Sequence, residues 1–396
     1  MTEERQQVKV HGECDARFAP VQHAFARGFE SGDDIGASVA VVHRGAVVVD
    51  LWAGTVVCGR LIPRGDSQSE TPVGSEPWQR DTLVTVLSAT KGLAALAVAM
   101  LVDRGLLDYA APVARYWPAF ASASKSRITV ADLVSHQAGL PVIDRELAPG
   151  DGAHWERMVG ALELEEPVWE PGTRTGYHAV TWSWLVGELV RKVAGCTLAQ
   201  FAEEEICRPL GIEFPIGCGP ELDGRVADLI LPPLGARAAW DPTSLIARAM
   251  RLVAPPVLPL LDTREFRNLE LSSTNGCSNA RNIARLYGAL AAGGAELLDP
   301  AVLEQATAER CAGMDAVLEH PVRRASGWHL SAPGDQYLWA RSSRSYGHSG
   351  AGGALGFADP EAEIGFGFAM NRLLFVPGGD PRWTRLVNAL YECLAA

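Results

Sequence analysis

Apolar residues recur at intervals of three and four positions in several long stretches of the chain, and this spacing predicts helices. The stretches cover residues 21–31, 88–104, 180–195, 276–294 and 384–396. Several of them are followed by or end at a glycine, among them Gly105, Gly195 and Gly294. Glycine commonly ends a helix because it adopts the left-handed backbone conformation without steric cost.

Runs of β-branched and aromatic residues predict strands near both ends of the chain. GASVAVVHRGAVVVDLWAG, residues 36–54, predicts two strands joined by a tight turn at Arg44-Gly45. Further strand-like segments are GWHLSA, QYLWARS and GALGFADPEAEIGFGFAMN, at residues 327–332, 336–342 and 353–371.

Strands at both ends and helices between them are most simply accommodated by one sheet and an inserted helical lobe. We therefore predict an α+β fold, in which an antiparallel sheet is flanked by helices and carries an inserted, mostly helical lobe. The predicted sheet domain is discontinuous, residues 1–109 and 266–396, and the predicted helical domain is residues 110–265.

Composition narrows the functional classes. The chain has 396 residues, of which 47% are hydrophobic and 21% charged, as is ordinary for a globular protein. A net charge of −12 without a basic stripe disfavours nucleic-acid binding. The longest apolar run, residues 93–102, is too short to span a bilayer, and MTEERQQVKVHGEC has no apolar signal-peptide core. We expect a cytoplasmic protein that binds neither nucleic acid nor membrane.

Cysteine and histidine spacing gives no indication of a metal site or a disulfide framework. The eight cysteines are scattered without a CxxC pair, and we expect them to be small core hydrophobes. The nine histidines show no HxxxH or HExxH spacing, so zinc is not indicated. We expect neither a metal nor an organic cofactor.

Lys91 lies at the start of an almost wholly apolar helical stretch, three residues after Ser88. Residues three apart share a helix face, and a desolvated lysine can serve as the base that a nucleophilic serine needs. A helix N-cap followed by an extended surface lysine would give the same spacing. A second copy, Ser122 and Lys125 in SASKSR, lies in a polar segment, and we expect it to be solvated surface.

Two further stretches accompany this motif. WEPGTRTGYHAVTWSWLVGELV places Tyr177 before a helix, and SYGHSGAGGALGF places a small-residue segment, His348 to Gly353, near the end of the chain. With VLSATKGLAALAVAMLVDRG, they make the sequence resemble the serine β-lactamase and penicillin-binding-protein superfamily, on its class C side. More narrowly, it resembles the family VIII carboxylesterases. ITVADLVSHQAGLP and SSTNGCSNARNIARLYGALAAGG add to a resemblance that covers roughly residues 20 to 395.

This resemblance implies the β-lactamase/transpeptidase-like form of the predicted fold and assigns three catalytic residues. Ser88 matches the acylated serine, Lys91 the base beside it, and Tyr177 the tyrosine that exchanges protons with the serine and the leaving group. A Lys91 cation close to Tyr177 is expected to lower the pKa of the phenol.

The resemblance also assigns the substrate-binding strand and the oxyanion hole. His348, Ser349 and Gly350 match the K-T-G strand that binds substrate. The backbone N–H groups of Ser88 and Ala351 would form the oxyanion hole.

Two departures from the family pattern favour a neutral substrate. His348 replaces the lysine of K-T-G, and Ala179 replaces the asparagine of the Y-x-N box. A mostly neutral histidine is a weak carboxylate anchor, and alanine cannot donate to a substrate amide. We therefore expect a serine hydrolase that cleaves small carboxylic esters through an acyl-enzyme. Three alternatives remain: a β-lactamase or a D-alanyl carboxypeptidase or aminopeptidase, an acyltransferase, and a non-enzymatic binding protein. The sequence does not predict the oligomeric state.

GHSGA nearly matches the G-x-S-x-G elbow of α/β-hydrolases, which would make Ser349 a rival nucleophile. That fold requires a histidine after the serine in the chain. His348 is the last histidine of the sequence, so we do not assign Ser349 this role.

Overall fold

A computed structural model describes residues 8–57, 75–232, 240–261, 263–331, 340–376 and 379–395. The strands are β1 His11–Cys14, β2 Gly36–His43, β3 Ala46–Val57, β4 Ser75–Pro77, β5 Leu83–Thr85, β6 Val226–Ala227, β7 Cys277–Ser278, β8 Cys311–Met314, β9 Pro321–Arg324, β10 His329–Leu330, β11 Tyr346–Ser349, β12 Leu355–Asp359 and β13 Ile364–Met370. The α-helices are α1 Ala19–Glu30, α2 Thr90–Asp103, α3 Val130–Val134, α4 Trp155–Leu164, α5 Thr181–Ala194, α6 Leu198–Ala202, α7 Arg208–Leu210, α8 Leu245–Met250, α9 Arg264–Arg267, α10 Ala280–Ala291, α11 Pro300–Thr307 and α12 Pro381–Ala395.

One antiparallel sheet dominates the described residues. Its order is β1-β3-β2-β13-β12-β11-β10-β9-β8, and β4 adds to β3. A small separate sheet has the order β6-β5-β7. The predicted α+β class is therefore confirmed, with mostly helical chain between β5 and β8. The domain boundaries at residues 109–110 and 265–266 remain a prediction.

The predicted hairpin near the N-terminus is confirmed. Arg44 and Gly45 both have positive φ, 53° and 77°, and form the two-residue connection between β2 and β3. Two consecutive left-handed residues match the right-handed twist of the flanking strands. On its other edge β2 pairs with β13, from Ile364 opposite His43 to Met370 opposite Ala37. A strand from the N-terminal part of the chain and a strand from its C-terminal part thus lie side by side in the middle of the sheet.

Successive side chains of β13 point to opposite faces of the sheet, and a different helix covers each face. Gly365 and Gly367 face α10, because a Cβ at either position would lie 2.1–2.2 Å from backbone atoms of that helix. Phe366 and Phe368 point to the opposite face, where the Arg382 guanidinium of α12 lies 5.7 Å from the Phe368 ring. Glycine on one side lets α10 approach the strand closely, and phenylalanine on the other fills the space beneath α12.

The predicted helices are observed with small shifts of their ends. α5 ends before Gly195, whose φ of 72° gives the expected left-handed cap. The predicted helix at 88–104 begins with one 3-10 turn, Leu87–Ala89, before α2. α10 starts at residue 280, four residues later than predicted, because the Asn279 side chain caps it and the preceding residues form β7.

The expectation that the second serine–lysine copy is solvated is wrong for Lys125. Ser122 is exposed, but Lys125 is fully buried. Its ammonium donates to the carbonyls of Glu163 and Glu165 at 2.9 and 2.7 Å. These carbonyls close the C-terminal end of α4, where a helix leaves acceptors without an intrahelical partner. Burial lowers the pKa of Lys125 to about 8.

The expectation for the cysteines is wrong at two positions that form a disulfide, and at Cys14, Cys196 and Cys311, which are only partly buried. Cys218 and Cys277 form a disulfide, with Cα atoms 6.6 Å apart, that ties β7 to the segment before β6. Cys207 and Cys393 are buried free thiols, as expected. Spacing along the chain carries no information on the distance between two segments 59 residues apart, and this explains the error.

Two further expectations concern the strand predicted near the end of the chain and the lack of a membrane-spanning segment. The strand predicted at residues 336–342 falls mostly outside the described residues, and residues 340–342 do not form a strand. Of the helices in the described ranges, none has both the length and the apolar character that crossing a membrane requires.

We predict that Gly367→Ala lowers the free energy of unfolding by about 1–3 kcal/mol, because the added methyl overpacks the contact between β13 and α10. A Cβ there would lie 2.2 Å from the Ala280 carbonyl oxygen. Urea unfolding followed by circular dichroism measures the effect. Gly160→Ala is the matched control: a Cβ at this α4 position meets no atom within 4 Å, and the change should stabilise by up to about 1 kcal/mol. Equal unfolding midpoints for the two variants would contradict the close packing.

Candidate active site

Ser88 lies in the 3-10 turn that joins β5 to α2. Leu87 within this turn has a φ of 48°, an uncommon backbone conformation for leucine. Thr90 holds the turn, since its hydroxyl donates to the Leu87 carbonyl at 2.6 Å and accepts from the Gly276 N–H at 3.0 Å. Ser88 itself is half-buried. Its backbone is therefore held in place while part of the residue remains exposed.

Lys91 follows on the first turn of α2 and is fully buried. Its Nζ lies 3.4 Å from Ser88 Oγ and 3.0 Å from Tyr177 Oη. It also lies 3.0 Å from the Ala179 carbonyl oxygen and 3.1 Å from that of Ser273. The fold thus brings together the three residues that the sequence predicts to be catalytic.

The hydrogen-bonding capacity of these partners matches a neutral amine. An uncharged lysine has two N–H donors and one lone pair, whereas the ammonium has three donors and no acceptor. The carbonyls of Ala179 and Ser273 only accept, so they take both N–H groups and leave the lone pair directed at the hydroxyls of Ser88 and Tyr177. Burial lowers the pKa of Lys91 well below its usual range, and the Arg324 cation lowers it further. The arrangement can therefore accept a proton from a hydroxyl.

The expectation that Lys91 lowers the pKa of Tyr177 is wrong. Burial raises the pKa of Tyr177, and this effect exceeds the opposite effects of a hydrogen bond with Ser88 and of the Arg324 cation. A lysine that is itself neutral supplies no cation to stabilise a phenolate. Tyr177 is therefore a protonated phenol near neutral pH.

The predicted substrate-binding strand is β11, which packs against the turn that carries Ser88. A Cβ at Gly350 would lie 2.1 Å from the Val86 carbonyl oxygen, so this close approach requires glycine. Gly350 N–H donates to the Ala354 carbonyl at 2.7 Å and closes a turn in which Ala351 is exposed. Arg382 of α12 donates a hydrogen bond to the Gly352 carbonyl and so stabilises this turn. Ala351 therefore directly follows Gly350, the residue that approaches the segment leading into the serine turn.

His348 is buried on β11, and Ser349 beside it is nearly so. The ring of His348 lies 6.2 Å from that of Tyr177 and 4.7 Å from that of His329, between centroids. Its Nδ1 lies 2.7 Å from the Ser349 carbonyl oxygen, which only accepts, so Nδ1 carries the proton. Burial lowers the pKa of His348 well below its usual range, so the ring is neutral. A neutral ring therefore occupies the position that the sequence resemblance predicts to correspond to the lysine of K-T-G.

Comparison with known proteins identifies the family of the chain. The family model described as Beta-lactamase matches residues 21–391. The chain belongs to the beta-lactamase family. The predicted resemblance is thereby confirmed at the level of the family and the fold.

Individual relatives of this beta-lactamase-family chain carry several names. "Esterase/beta-lactamase LipL" of Mycobacterium tuberculosis (strain ATCC 25618 / H37Rv) is 33% identical over 397 residues, covering 92% of this chain and 84% of that protein. A family VIII carboxylesterase structure has a TM-score of 0.84 at 36% identity, covering 97% of this chain and all of that one. A penicillin-binding-protein homologue from Caulobacter crescentus has a TM-score of 0.85 at 36% identity, with the same coverage.

Several residues that surround the site of this beta-lactamase-family chain are not indicated by the sequence motifs. Ser273 lies in the stretch that carries part of the resemblance, but its role depends on a backbone carbonyl, which no side-chain motif reveals. His136 lies in SHQAGLP and contacts the ring of Tyr177 at 5.0 Å between centroids. Arg324 and Asp315 lie near the Tyr177 segment without any motif to indicate it.

The described residues contain no group of three or more His, Cys, Asp or Glu side chains arranged to hold a metal ion. Two of the histidines near Tyr177, His136 and His178, instead hydrogen-bond to the backbone. His178 Nδ1 lies 2.7 Å from the Gly176 carbonyl oxygen, and its Nε2 accepts from the Leu140 N–H at 2.9 Å. His136 Nδ1 accepts from the His178 N–H at 3.1 Å. These rings support the segment that carries Tyr177.

We predict that His178 makes stability depend on pH. Burial lowers the pKa of His178 from 6.5 to about 3. Between these values the unfolded chain binds a proton that the folded chain does not, so the free energy of unfolding falls as pH falls from 6.5 towards 3. The slope is about 1.4 kcal/mol per pH unit for each such group.

Urea unfolding of the wild type and His178→Gln at pH 7.5, 6.5 and 5.5 measures this slope. In the variant it should be shallower by an amount that grows as pH falls and approaches one proton below pH 6.5. His23→Gln, at an exposed histidine, is the control and should keep the wild-type slope. A wild-type slope in His178→Gln would contradict the prediction.

Proposed function

We propose that the chain is a carboxylesterase that cleaves small carboxylic esters through an acyl-enzyme on Ser88. The observation that carries this proposal is the enclosed amine of Lys91, 3.4 Å from Ser88 Oγ and 3.0 Å from Tyr177 Oη. With both of its N–H groups committed to carbonyls, the lone pair of the amine is available to the two hydroxyls. The carboxylesterase named among the similar structures supports the choice of substrate class.

In the acylation step, Ser88 Oγ attacks the ester carbonyl carbon as its proton passes to Lys91. The N–H groups of Ser88 and Ala351 donate to the oxyanion of the tetrahedral intermediate. When the intermediate collapses, the bond from carbon to the alcohol oxygen breaks. The proton returns from Lys91 through the Tyr177 hydroxyl to that oxygen, and the alcohol leaves.

In the deacylation step, water takes the place of the alcohol. The Lys91 and Tyr177 pair accepts a proton from the water as its oxygen attacks the acyl carbon. The bond to Ser88 Oγ then breaks and the proton returns to the serine. The carboxylic acid leaves and the starting state is restored.

Two features favour an ester over a β-lactam or a D-alanyl peptide. Burial keeps His348 neutral, so it does not offer the positive charge that a substrate carboxylate would require. Ala179 presents a methyl group where an asparagine would donate to a substrate amide. The relative named as both esterase and beta-lactamase makes β-lactam hydrolysis the second candidate.

We predict that Ser88→Ala lowers kcat/KM for p-nitrophenyl esters by several powers of ten, because the nucleophile is removed. The measurement is a panel of p-nitrophenyl esters of rising acyl length, with release of p-nitrophenol followed by absorbance. Ser122→Ala is the matched control, since Ser122 has the same spacing to a lysine but lies at an exposed position, and should keep the wild-type rate.

Near wild-type ester hydrolysis by Ser88→Ala would refute the assigned nucleophile. Nitrocefin, run beside the esters, separates the two candidate functions. Nitrocefin turnover that rivals ester turnover in the wild type would favour a β-lactamase over an esterase. Transfer of the acyl group to an added alcohol in preference to water would favour an acyltransferase.

We predict that Tyr177→Phe lowers kcat by about 10²–10⁴-fold, the usual contribution of a positioned proton donor or acceptor. The phenyl ring loses the hydrogen bond with Lys91 but retains the ring contacts with His136 and Lys91, so folding should be little affected. The loss should be smaller for p-nitrophenyl esters than for ethyl esters, because p-nitrophenolate leaves without a proton. Equal losses with both leaving groups would argue against proton delivery by Tyr177.

A further inference from the structure

A buried ion pair lies directly behind the proposed catalytic tyrosine. Arg324 of β9 and Asp315, which follows β8, are 1% and 0% exposed, and Arg324 Nη2 lies 2.6 Å from Asp315 Oδ2. Burying two charges is costly, and well-packed apolar side chains in their place are often as stable or more so. Stability alone is therefore a poor explanation for this pair.

Both members of the pair contact the segment that carries Tyr177. Asp315 Oδ1 accepts from the backbone N–H of Tyr177 at 3.2 Å. Arg324 Nη1 donates to the hydroxyl of Thr175, two residues earlier. The Arg324 guanidinium carbon also lies 5.7 Å from the centre of the Tyr177 ring. The pair thus fixes the backbone and the ring of this tyrosine together.

The same oxygen of Asp315 organises its own loop. It accepts from the N–H groups of Val317 and Leu318 at 2.8 and 2.7 Å. A carboxylate that accepts three backbone N–H groups in addition to facing an arginine is held in one orientation. Tyr177 is therefore anchored to a rigid support rather than to a mobile side chain.

The pair also sets the charge around Lys91. The titratable and charged groups around the Lys91 and Tyr177 pair are Arg324, Asp315, His136, His178, His329 and His348. Burial lowers the pKa of each of the four histidines, so they are neutral near pH 7. Arginine remains charged at any pH of interest. Among these described groups, Arg324 is therefore the permanent cation.

We propose that the Arg324–Asp315 pair is a positioning device for the ester hydrolysis proposed above, in which Asp315 orients Tyr177 and the Arg324 cation keeps Lys91 in its neutral, proton-accepting form. This inference rests on the proposed function. Neither residue contacts the reacting atoms; both act through Tyr177 and Lys91. Both groups face the Tyr177 ring: the Arg324 guanidinium carbon lies 5.7 Å from its centre and Lys91 Nζ lies 4.7 Å from it. A second positive charge beside the same ring is unfavourable, so the Arg324 cation adds to the effect of burial in displacing protonation of Lys91 to lower pH.

The test is the pH dependence of kcat/KM for a p-nitrophenyl ester in the wild type and three variants. Activity requires neutral Lys91, so it rises with pH through the pKa of that lysine. Arg324→Met removes the cation and leaves the Asp315 anion, and both changes favour the ammonium. The rising limb of the pH profile should move to higher pH by roughly one unit. At a fixed pH on the acid side of this limb, kcat/KM of the variant should be about tenfold lower than that of the wild type. KM should change little.

The other two variants separate charge from packing. Arg324→Lys keeps a cation, so its rising limb should stay within a few tenths of a pH unit of the wild type even where the plateau rate is lower. Arg324→Met with Asp315→Asn removes both charges without leaving one unpaired. Its limb should move in the same direction as that of Arg324→Met, but less.

A rising limb that stays at the wild-type pH in the variants without the cation, while their rates fall, would overturn the inference and leave the pair a purely structural role. Should Arg324→Met fail to fold, the double variant provides the same comparison. Failure of the proposed function has a different signature. In that case the wild type itself shows no ester hydrolysis that depends on Ser88.

Discussion

The enclosed amine of Lys91 is the constraint on which the arrangement of the site depends. It is fully buried and surrounded by two carbonyl oxygens and two hydroxyls. An ammonium in this position would lose its hydration and leave one of its three N–H groups to compete for a hydroxyl. A neutral amine satisfies both carbonyls and keeps a lone pair. The lysine therefore links α2 to the chain around Tyr177 and to the chain around Ser273. The same contacts favour its neutral, proton-accepting form.

Burial acts on the lysine and the tyrosine in opposite directions. It disfavours the charged form of each group, which is the cation for lysine and the anion for tyrosine, so the pKa of Lys91 falls and that of Tyr177 rises. A neutral amine beside a neutral phenol is the result. Such a pair can receive a proton at one atom and donate one from the other without creating an isolated charge until the reaction begins. The histidines around Tyr177 are neutral as well, so the charges beside the pair come from the Arg324–Asp315 ion pair.

Much of the fold could be predicted from local patterns. The hairpin at Arg44-Gly45 and the end of α5 at Gly195 each follow from a short stretch whose backbone conformation its own residues determine. The start of α10 was predicted too early, because β7 and the Asn279 cap depend on a neighbouring strand. The burial of Lys125 was missed for the same reason, since its partners lie on α4.

The site was predictable only where its residues form motifs. Ser88 and Lys91 are three positions apart, and Tyr177 and His348 occur in recognisable order along the chain. Arg324 and Asp315 belong to no motif, and only the pairing of β8 with β9 brings them behind Tyr177. The direction of the Tyr177 pKa shift could not be anticipated either, because it depends on how completely the fold excludes water.

The contact between Arg382 and the turn beside the nucleophile affects when the site can assemble. Arg382 is fully buried near the end of the chain, and it donates to the Gly352 carbonyl and faces Asp34 near the beginning. Ser88, Lys91 and Tyr177 leave the ribosome long before this arginine is synthesised. The turn that carries Ala351 gains this support only when α12, which is translated after all three residues, docks against it. Assembly of the proposed oxyanion hole is thereby coupled to a late step in the translation and folding of the chain.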